Sequence, residues 1–173
     1  MAQVLPFYLV CDESYSMSGP PLDAINASLP EIHSEIGSNP VVADKTRFCL
    51  IGFSDTAQVL LPLSNLSAIS SIPALQVAGG TNYSSAFDLL YDTIDEDVKQ
   101  LKNNKDQVYR PAVFFLSDGQ PGDDWEDSYK REFAQSLIQS IVTSGSKPAQ
   151  GGGLTLAVPD DVPGFTSLPA DEL

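Results

Sequence analysis

Asp12, Ser14 and Ser16 place side-chain oxygens at alternate positions of the stretch Asp12-Glu13-Ser14-Tyr15-Ser16-Met17-Ser18-Gly19. If that stretch curls, all three oxygens turn inward together, and an all-oxygen cluster suits a hard divalent cation. The bland alternative is that one of the three starts the next helix as its cap, a job that needs one such residue, not three. A cation cluster must be carried by something rigid. The apolar run Val4-Leu5-Pro6-Phe7-Tyr8-Leu9-Val10-Cys11 leads into it without a break and reads as a buried parallel strand that opens into a polar loop. In open α/β sheets, ligands bind beyond such strand ends.

The chain has 173 residues, the size of one domain with room for a real core, and 42% of them are hydrophobic. A formal charge of −14 argues against nucleic acid and against anionic membranes as partners, because phosphate binding needs a basic surface. The same charge attracts cations in general, so only a defined oxygen cage would make metal binding specific. Cys11 and Cys49 both lie in apolar runs and read as buried free thiols; a cytoplasmic chain is expected from them. Neither a signal-like N-terminus nor a run long enough to span a bilayer is expected from the sequence.

The remaining elements follow from periodicity. Leu22, Ile25, Leu29, Ile32 and Ile36 recur at helical spacing after Pro20-Pro21, with Gly37 as the stop, Pro30 as a predicted kink, and His33 on the surface or flank. Residues 46–53 and 57–63 read as two strands of a hairpin joined by Ser54-Asp55-Thr56, the second closed by Pro62 and suited to an antiparallel edge. Residues 64–71 suggest a turn of helix. A longer helix carries Ala86, Phe87, Leu90, Ile94, Val98 and Leu101 inward and Asp88, Asp92, Asp95, Glu96 and Asp97 outward, a solvated acidic face. Residues 102–107 read as a surface loop and 112–117 as a strand. A further helix is expected on Trp125, Tyr129, Phe133, Leu137 and Ile141, and one more strand at 154–158 after a long glycine-rich loop. The alternation predicts a doubly wound α/β sandwich with the first strand in the middle of the sheet. The expected division is a domain over 1–158 and an acidic, proline-containing tail over 159–173.

Asp12-x-Ser14-x-Ser16 after a hydrophobic strand resembles the first part of the metal-ion-dependent adhesion site of von Willebrand factor A (vWA) domains. That family completes the site with a threonine in a second loop and an aspartate after a later strand. Gly79-Gly80-Thr81-Asn82 and Val113-Phe114-Phe115-Leu116-Ser117-Asp118-Gly119 match those two pieces in order and spacing. The resemblance covers about Leu5 to Ile141 and, within the family, is greatest to small bacterial proteins of the tellurium-resistance and stress-response type. It implies a Rossmann-like, mostly parallel sheet with one antiparallel edge strand and helices on both faces. The chain departs from the pattern after residue 158, where the family usually closes with another strand and a helix.

The resemblance also implies a metal set of Asp12, Ser14, Ser16, Thr81 and Asp118, with the hydroxyls touching the metal and the aspartates acting largely through water. Mg²⁺, which wants six oxygens in near-octahedral array, is the expected ion, with Mn²⁺ or Ca²⁺ as substitutes. A mostly neutral shell leaves the cation electron-poor, ready to accept an aspartate or glutamate carboxylate from a partner protein. The expected protein is therefore a monomeric, non-enzymatic interaction module. Thr81 is expected to approach the metal only when such a ligand is bound, its paired glycines making movement cheap, unless it simply caps the helix that begins near Tyr83. Glu13 and Tyr15 are expected to flank the site, and Asp123 and Asp124 to add negative charge at its rim. The alternative is a metal-dependent phosphatase or phosphotransferase with Asp12 as nucleophile, since a strand-end aspartate followed by alternate polar residues is similar to that class too. Against it, Ser14 stands where such enzymes place a second aspartate, and no phosphate-anchoring lysine is evident.

Overall fold

The structure, a computed structural model, describes residues 2–118, 122–124 and, for the backbone alone, 141–144. The continuous apolar runs become strands buried on both faces, and the period of two sorts their side chains between two cores. From β1 (Gln3–Asp12), Tyr8 and Val10 enter one core and Leu9 and Cys11 the other. β2 (Thr46–Phe53) divides the same way, sending Cys49, Ile51 and Phe53 to the first core and Phe48 and Leu50 to the second. β5 (Ala112–Leu116) gives Val113 and Phe115 to the first and Phe114 to the second.

Helix α1 (Pro20–Ser38) covers the second core with Leu22 and Leu29. Helix α3 (Tyr83–Asn103) covers the first with Tyr83, Ala86, Phe87, Leu90 and Ile94. The sheet order is β3-β2-β1-β5-β6, where β3 is Ala57–Asn65 and β6 is Ile141–Ser144. The two-residue β4 (Gln107–Val108) pairs with the start of β1. β1 runs parallel to β2, β4, β5, and β5 to β6, while β3 lies antiparallel against β2 at the edge. The mixed α/β architecture, the central first strand and the antiparallel edge are those expected from the sequence. Cys11 and Cys49 are buried free thiols, and burial pushes the Cys49 thiol up to about 12. Among the described residues no helix is long and apolar enough to cross a membrane.

Several local expectations are corrected. Ile141 belongs to strand β6, not to the end of a helix: Ile141-Val142-Thr143 is a β-branched run, which favours a pleated strand over a helical turn. The other positions of that expected helix, the expected strand at 154–158 and the tail lie outside the described residues. Helix α1 ends at Ser38, one residue past the expected stop at Gly37, but Asn39 then caps an unexpected short helix, α2 (Pro40–Lys45), by accepting from the amides of Val41 and Val42. Gln107 is in β4 rather than in a loop. Asp97 does not join the solvated face of α3; it accepts a 2.9 Å hydrogen bond from the Tyr8 hydroxyl. Burial raises its carboxyl above the ordinary range, against the opposing Tyr8 hydrogen bond, and the charge of Glu96 adds to the rise. His33 flanks α1 as expected, its Nε2 lying 3.2 Å and 3.0 Å from the carbonyl oxygens of Leu66 and Ile69.

Gly52, near the end of β2, leaves room for Glu13. A Cβ at this position would sit 2.2 Å from Glu13 Oε2 and 2.9 Å from Leu60 Cδ1. The Glu13 carboxylate cannot swing away without losing its hydrogen bond from the Gln76 amide. Gly52→Ala is therefore expected to cost about 2 kcal/mol, the usual scale of overpacking, and urea unfolding monitored by circular dichroism checks it.

Candidate metal centre

Asp12 is the last residue of β1 and is fully buried. Its Oδ1 accepts from the Ser14 amide at 2.8 Å and its Oδ2 from the Ser117 hydroxyl at 2.5 Å. A chain of oxygens then runs outward: Ser14 Oγ lies 2.9 Å from Ser16 Oγ, which donates at 2.9 Å to Asp118 Oδ1. Ser14 is buried, whereas Ser16 and Asp118 are exposed. Four of the five expected site residues thus meet at the carboxyl ends of β1 and β5.

None of the three loop residues serves as a helix cap. Helix α1 is entered through Gly19, at φ +83°, with no side-chain cap, and the 3-10 turn Tyr15–Met17 has Ser14 at its N-cap position without a side-chain bond. The hydroxyls are left for other work.

Thr81 precedes α3 on the neighbouring loop, and its carbonyl accepts from the Gly122 amide at 3.0 Å. It is not the cap of α3. Asn82 is, its side chain accepting from the Ser85 amide at 2.9 Å. Asp123 completes the cap by accepting from the amides of Tyr83 (3.0 Å) and Ser84 (2.8 Å) and from the Ser84 hydroxyl. Asp123 is therefore not a loose rim charge. Burial pushes its carboxyl up, but the Ser84 hydroxyl and the two amides outweigh that and hold it below its ordinary value.

The paired glycines also make room for Asp55 of the turn between β2 and β3. Gly79 adopts φ +54°, and a Cβ there would stand 2.3 Å from Asp55 Oδ2, while the Gly80 amide donates to Asp55 Oδ1 at 2.9 Å. The loop is tied further by Tyr15 N to Gly79 O (3.1 Å), Ala78 N to Glu13 O (2.6 Å) and Asn82 N to Ser54 O (2.8 Å). The glycines permit this close approach of Asp55.

Glu13 is corrected as well. It is 5% exposed and turned into the protein, where its Oε1 accepts from the Gln76 amide at 2.8 Å. Burial lifts its carboxyl above the ordinary range against that hydrogen bond, and the neighbouring charge of Asp12 adds to the rise. Tyr15, by contrast, is 72% exposed and does flank the site.

Asp12 forms no ion pair among the described residues; Lys99 and Asp95, on the surface of α3, do. No cluster of three His, Cys, Asp or Glu side chains could hold a metal among the described residues. The convergent set is instead two carboxylates with hydroxyls. That donor set fits a hard oxygen-seeking cation, and a buried carboxylate without a positive partner fits one more strongly, because an uncompensated buried charge is costly.

The sequence profile of the von Willebrand factor type A domain matches residues 7–120. The chain belongs to that family, a family of protein-interaction modules. No curated protein sequence matches it. Among solved structures it is similar to the vWF domain of the type V pili tip protein Mfa5 from Porphyromonas gingivalis, at 14% identity and a TM-score of 0.51, over 70% of this chain and 40% of that one. It is similar to the pilus adhesin SpaC from Lactobacillus rhamnosus GG at 18% identity and a TM-score of 0.55, over 69% of this chain and 16% of that one. Proximal thread matrix protein 1 from the mussel byssus, whose structure has a zinc-occupied MIDAS motif, matches at 15% identity and a TM-score of 0.51, over 83% of this chain and 36% of that one. The chain spans well under two thirds of the length of each, and at these identities the likeness is one of fold.

Ser117 is the site residue that motif reading misses. β1 and β5 pair in register up to Cys11 and Leu116, so the next step sets Ser117 beside Asp12. A hydroxyl residue directly before Asp118 was the available signal.

With Asn82 as the cap, Asn82→Ala is expected to cost about 1 kcal/mol and Thr81→Ala under about 0.5 kcal/mol in metal-free buffer. Equilibrium urea unfolding of the two variants checks this. Because the folded Asp123 carboxyl is depressed, its contribution is complete above the unfolded value of about 4 and is lost as the pH falls through the lower folded value. Asp123→Asn should remove that part of the acid-side loss of stability, read from melting temperatures across an acid pH series.

Proposed function

We propose that this chain is a divalent-metal-dependent protein-interaction module in which Asp12, Ser14, Ser16, Thr81 and Asp118 hold the cation. The observation that carries the reading is Asp12, fully buried and without an ion pair among the described residues, its carboxylate held by the Ser14 amide beside the converging side-chain oxygens of Ser14, Ser16 and Asp118. When bound, the cation supplies an electrophilic centre with room for one carboxylate from a partner's aspartate or glutamate. Ser14, Ser16 and Thr81 offer neutral oxygens and so leave the positive charge largely unquenched; Asp12 and Asp118 balance it from one side. Mg²⁺ fits this mixture of hydroxyls, carboxylates and water best, with Mn²⁺ or Ca²⁺ as alternatives.

Ser16 and Asp118 face solvent and make the approach route, with Tyr15 beside them. The partner is a protein, not nucleic acid or membrane, in keeping with the net charge of −14. A monomer acting in a bacterial stress-response or tellurium-resistance-type pathway of the cytoplasm is the setting the motif resemblance supports.

The phosphotransfer alternative requires Asp12 to attack as a nucleophile. Both of its oxygens already accept hydrogen bonds and the residue is closed to solvent, which favours binding over covalent chemistry.

Asp12→Ala should keep the native circular dichroism spectrum, lose the heat of Mg²⁺ binding in calorimetric titration, and lose Mg²⁺-dependent retention on arrayed aspartate- or glutamate-containing peptides. Unchanged titration heat in this variant would remove Asp12 from the site.

A further inference from the structure

Helix α3 begins with more side-chain support than a helix start needs. Its first three amides all donate to side-chain oxygens: Tyr83 and Ser84 to Asp123 at 3.0 Å and 2.8 Å, and Ser85 to Asn82 at 2.9 Å. One capping side chain is the ordinary provision, and Asn82, next to the helix in sequence, supplies it. Asp123 lies 40 residues from Tyr83, in the stretch that follows β5 and Asp118. It accepts a third bond, from the Ser84 hydroxyl, so both of its oxygens are committed to α3.

A backbone bond runs beside these. The Gly122 amide donates to the Thr81 carbonyl at 3.0 Å. Gly122 and Asp123 together therefore grip Thr81, Tyr83 and Ser84, and join two of the three loops of the candidate metal centre directly to each other. Each loop is fixed elsewhere by other means. Asp118 follows β5, which pairs with β1 up to Leu116, and the residues before Thr81 are bonded to Glu13 and Asp55.

We propose that Asp123 is a positioning residue of the metal centre: by strapping the Asp118 stretch to the start of α3, it sets the spacing between Thr81 and Asp118, so that a cation meets both already placed. This deepens the reading of the metal centre and rests on it. Asp123 is itself no ligand, because both of its oxygens are engaged by α3. Its effect is one of preorganisation. Ligands ordered on folding hold a cation more tightly than ligands that the cation must gather, and residues behind the ligands are what keep them ordered.

The probe is Mn²⁺, its affinity read from the free-ion electron paramagnetic resonance signal. Asp123→Asn keeps the shape of the side chain but cannot accept at both positions, and it is expected to weaken Mn²⁺ about 10- to 100-fold, the scale on which outer supports of metal ligands act. Two controls separate positioning from simpler roles. Asp124→Asn removes the same charge from the neighbouring exposed residue, whose contact with the Ser84 hydroxyl, at 3.5 Å, is made by its backbone carbonyl. It should weaken Mn²⁺ far less, by an amount that disappears in high salt, whereas the Asp123→Asn loss persists there. Asn82→Ala takes away the local cap of α3 and should lower the melting temperature by an amount similar to Asp123→Asn while leaving Mn²⁺ affinity close to wild type. Equal losses in the two Asp→Asn variants would mean that Asp123 acts by charge, and an equal loss in Asn82→Ala that it merely steadies α3. Either result overturns the proposal, as does unchanged affinity in Asp123→Asn. Should Asp123→Asn not fold, Ser84→Ala carries the test, since it removes one bond of the strap and no charge: a smaller loss of Mn²⁺ affinity supports the strap and an unchanged affinity overturns it. Wild-type protein that binds no Mn²⁺ refutes the metal centre itself, a separate and earlier failure.

Discussion

A carboxylate buried without a positive partner is the constraint on which the rest of this structure turns. Asp12 ends the central strand, fully enclosed, next to a second buried acid at Glu13. Burying such a charge is tolerable only if hydrogen bonds and a counter-charge compensate it. The hydrogen bonds are present, from an amide and a hydroxyl, and among the described residues the counter-charge is not. A structure that stops half way in compensating a buried charge leaves a place for a cation.

Two acids near the cation site, Glu13 and Asp55, do structural work around it. Glu13 receives Gln76 through its side chain and Ala78 through its carbonyl, and Asp55 receives Gly80. Together these bonds fasten the Thr81 loop to the Asp12 loop and to the β2–β3 hairpin. The glycines at 52 and 79 are small because these carboxylates press on them. On the far side Asp123 holds the start of α3, and through α3 the ring of Tyr83. Three loops that are distant in sequence are therefore assembled in advance, at the cost of concentrating acids at one end of the sheet.

The sheet was legible because its strands are buried on both faces and so appear as unbroken apolar runs; α1 and α3 were legible because each has one apolar face. Alternating oxygens at Asp12, Ser14 and Ser16 stood out for a similar reason, being a polar cluster where a buried strand ends. What could not be read depended on contacts between distant residues. Asp97 looked like one more surface acid until Tyr8, on another element, met it. Asp123 looked like a rim charge until α3 supplied amides to it. Ser117 is visible only once β5 is laid against β1 in register. Ile141 fitted a helical spacing by chance, and its β-branched neighbours, a local signal, were outweighed by that longer pattern.

Thermal unfolding against cation concentration tests most directly whether the buried charge awaits a cation. A cation that binds the native state alone raises the melting temperature in proportion to the logarithm of its concentration once the site fills. Mg²⁺ is expected to do this for the wild-type chain well beyond the effect of NaCl at equal ionic strength, which only screens the −14 charge. Equal responses to the two salts, or none to either, would contradict a built cation site at Asp12.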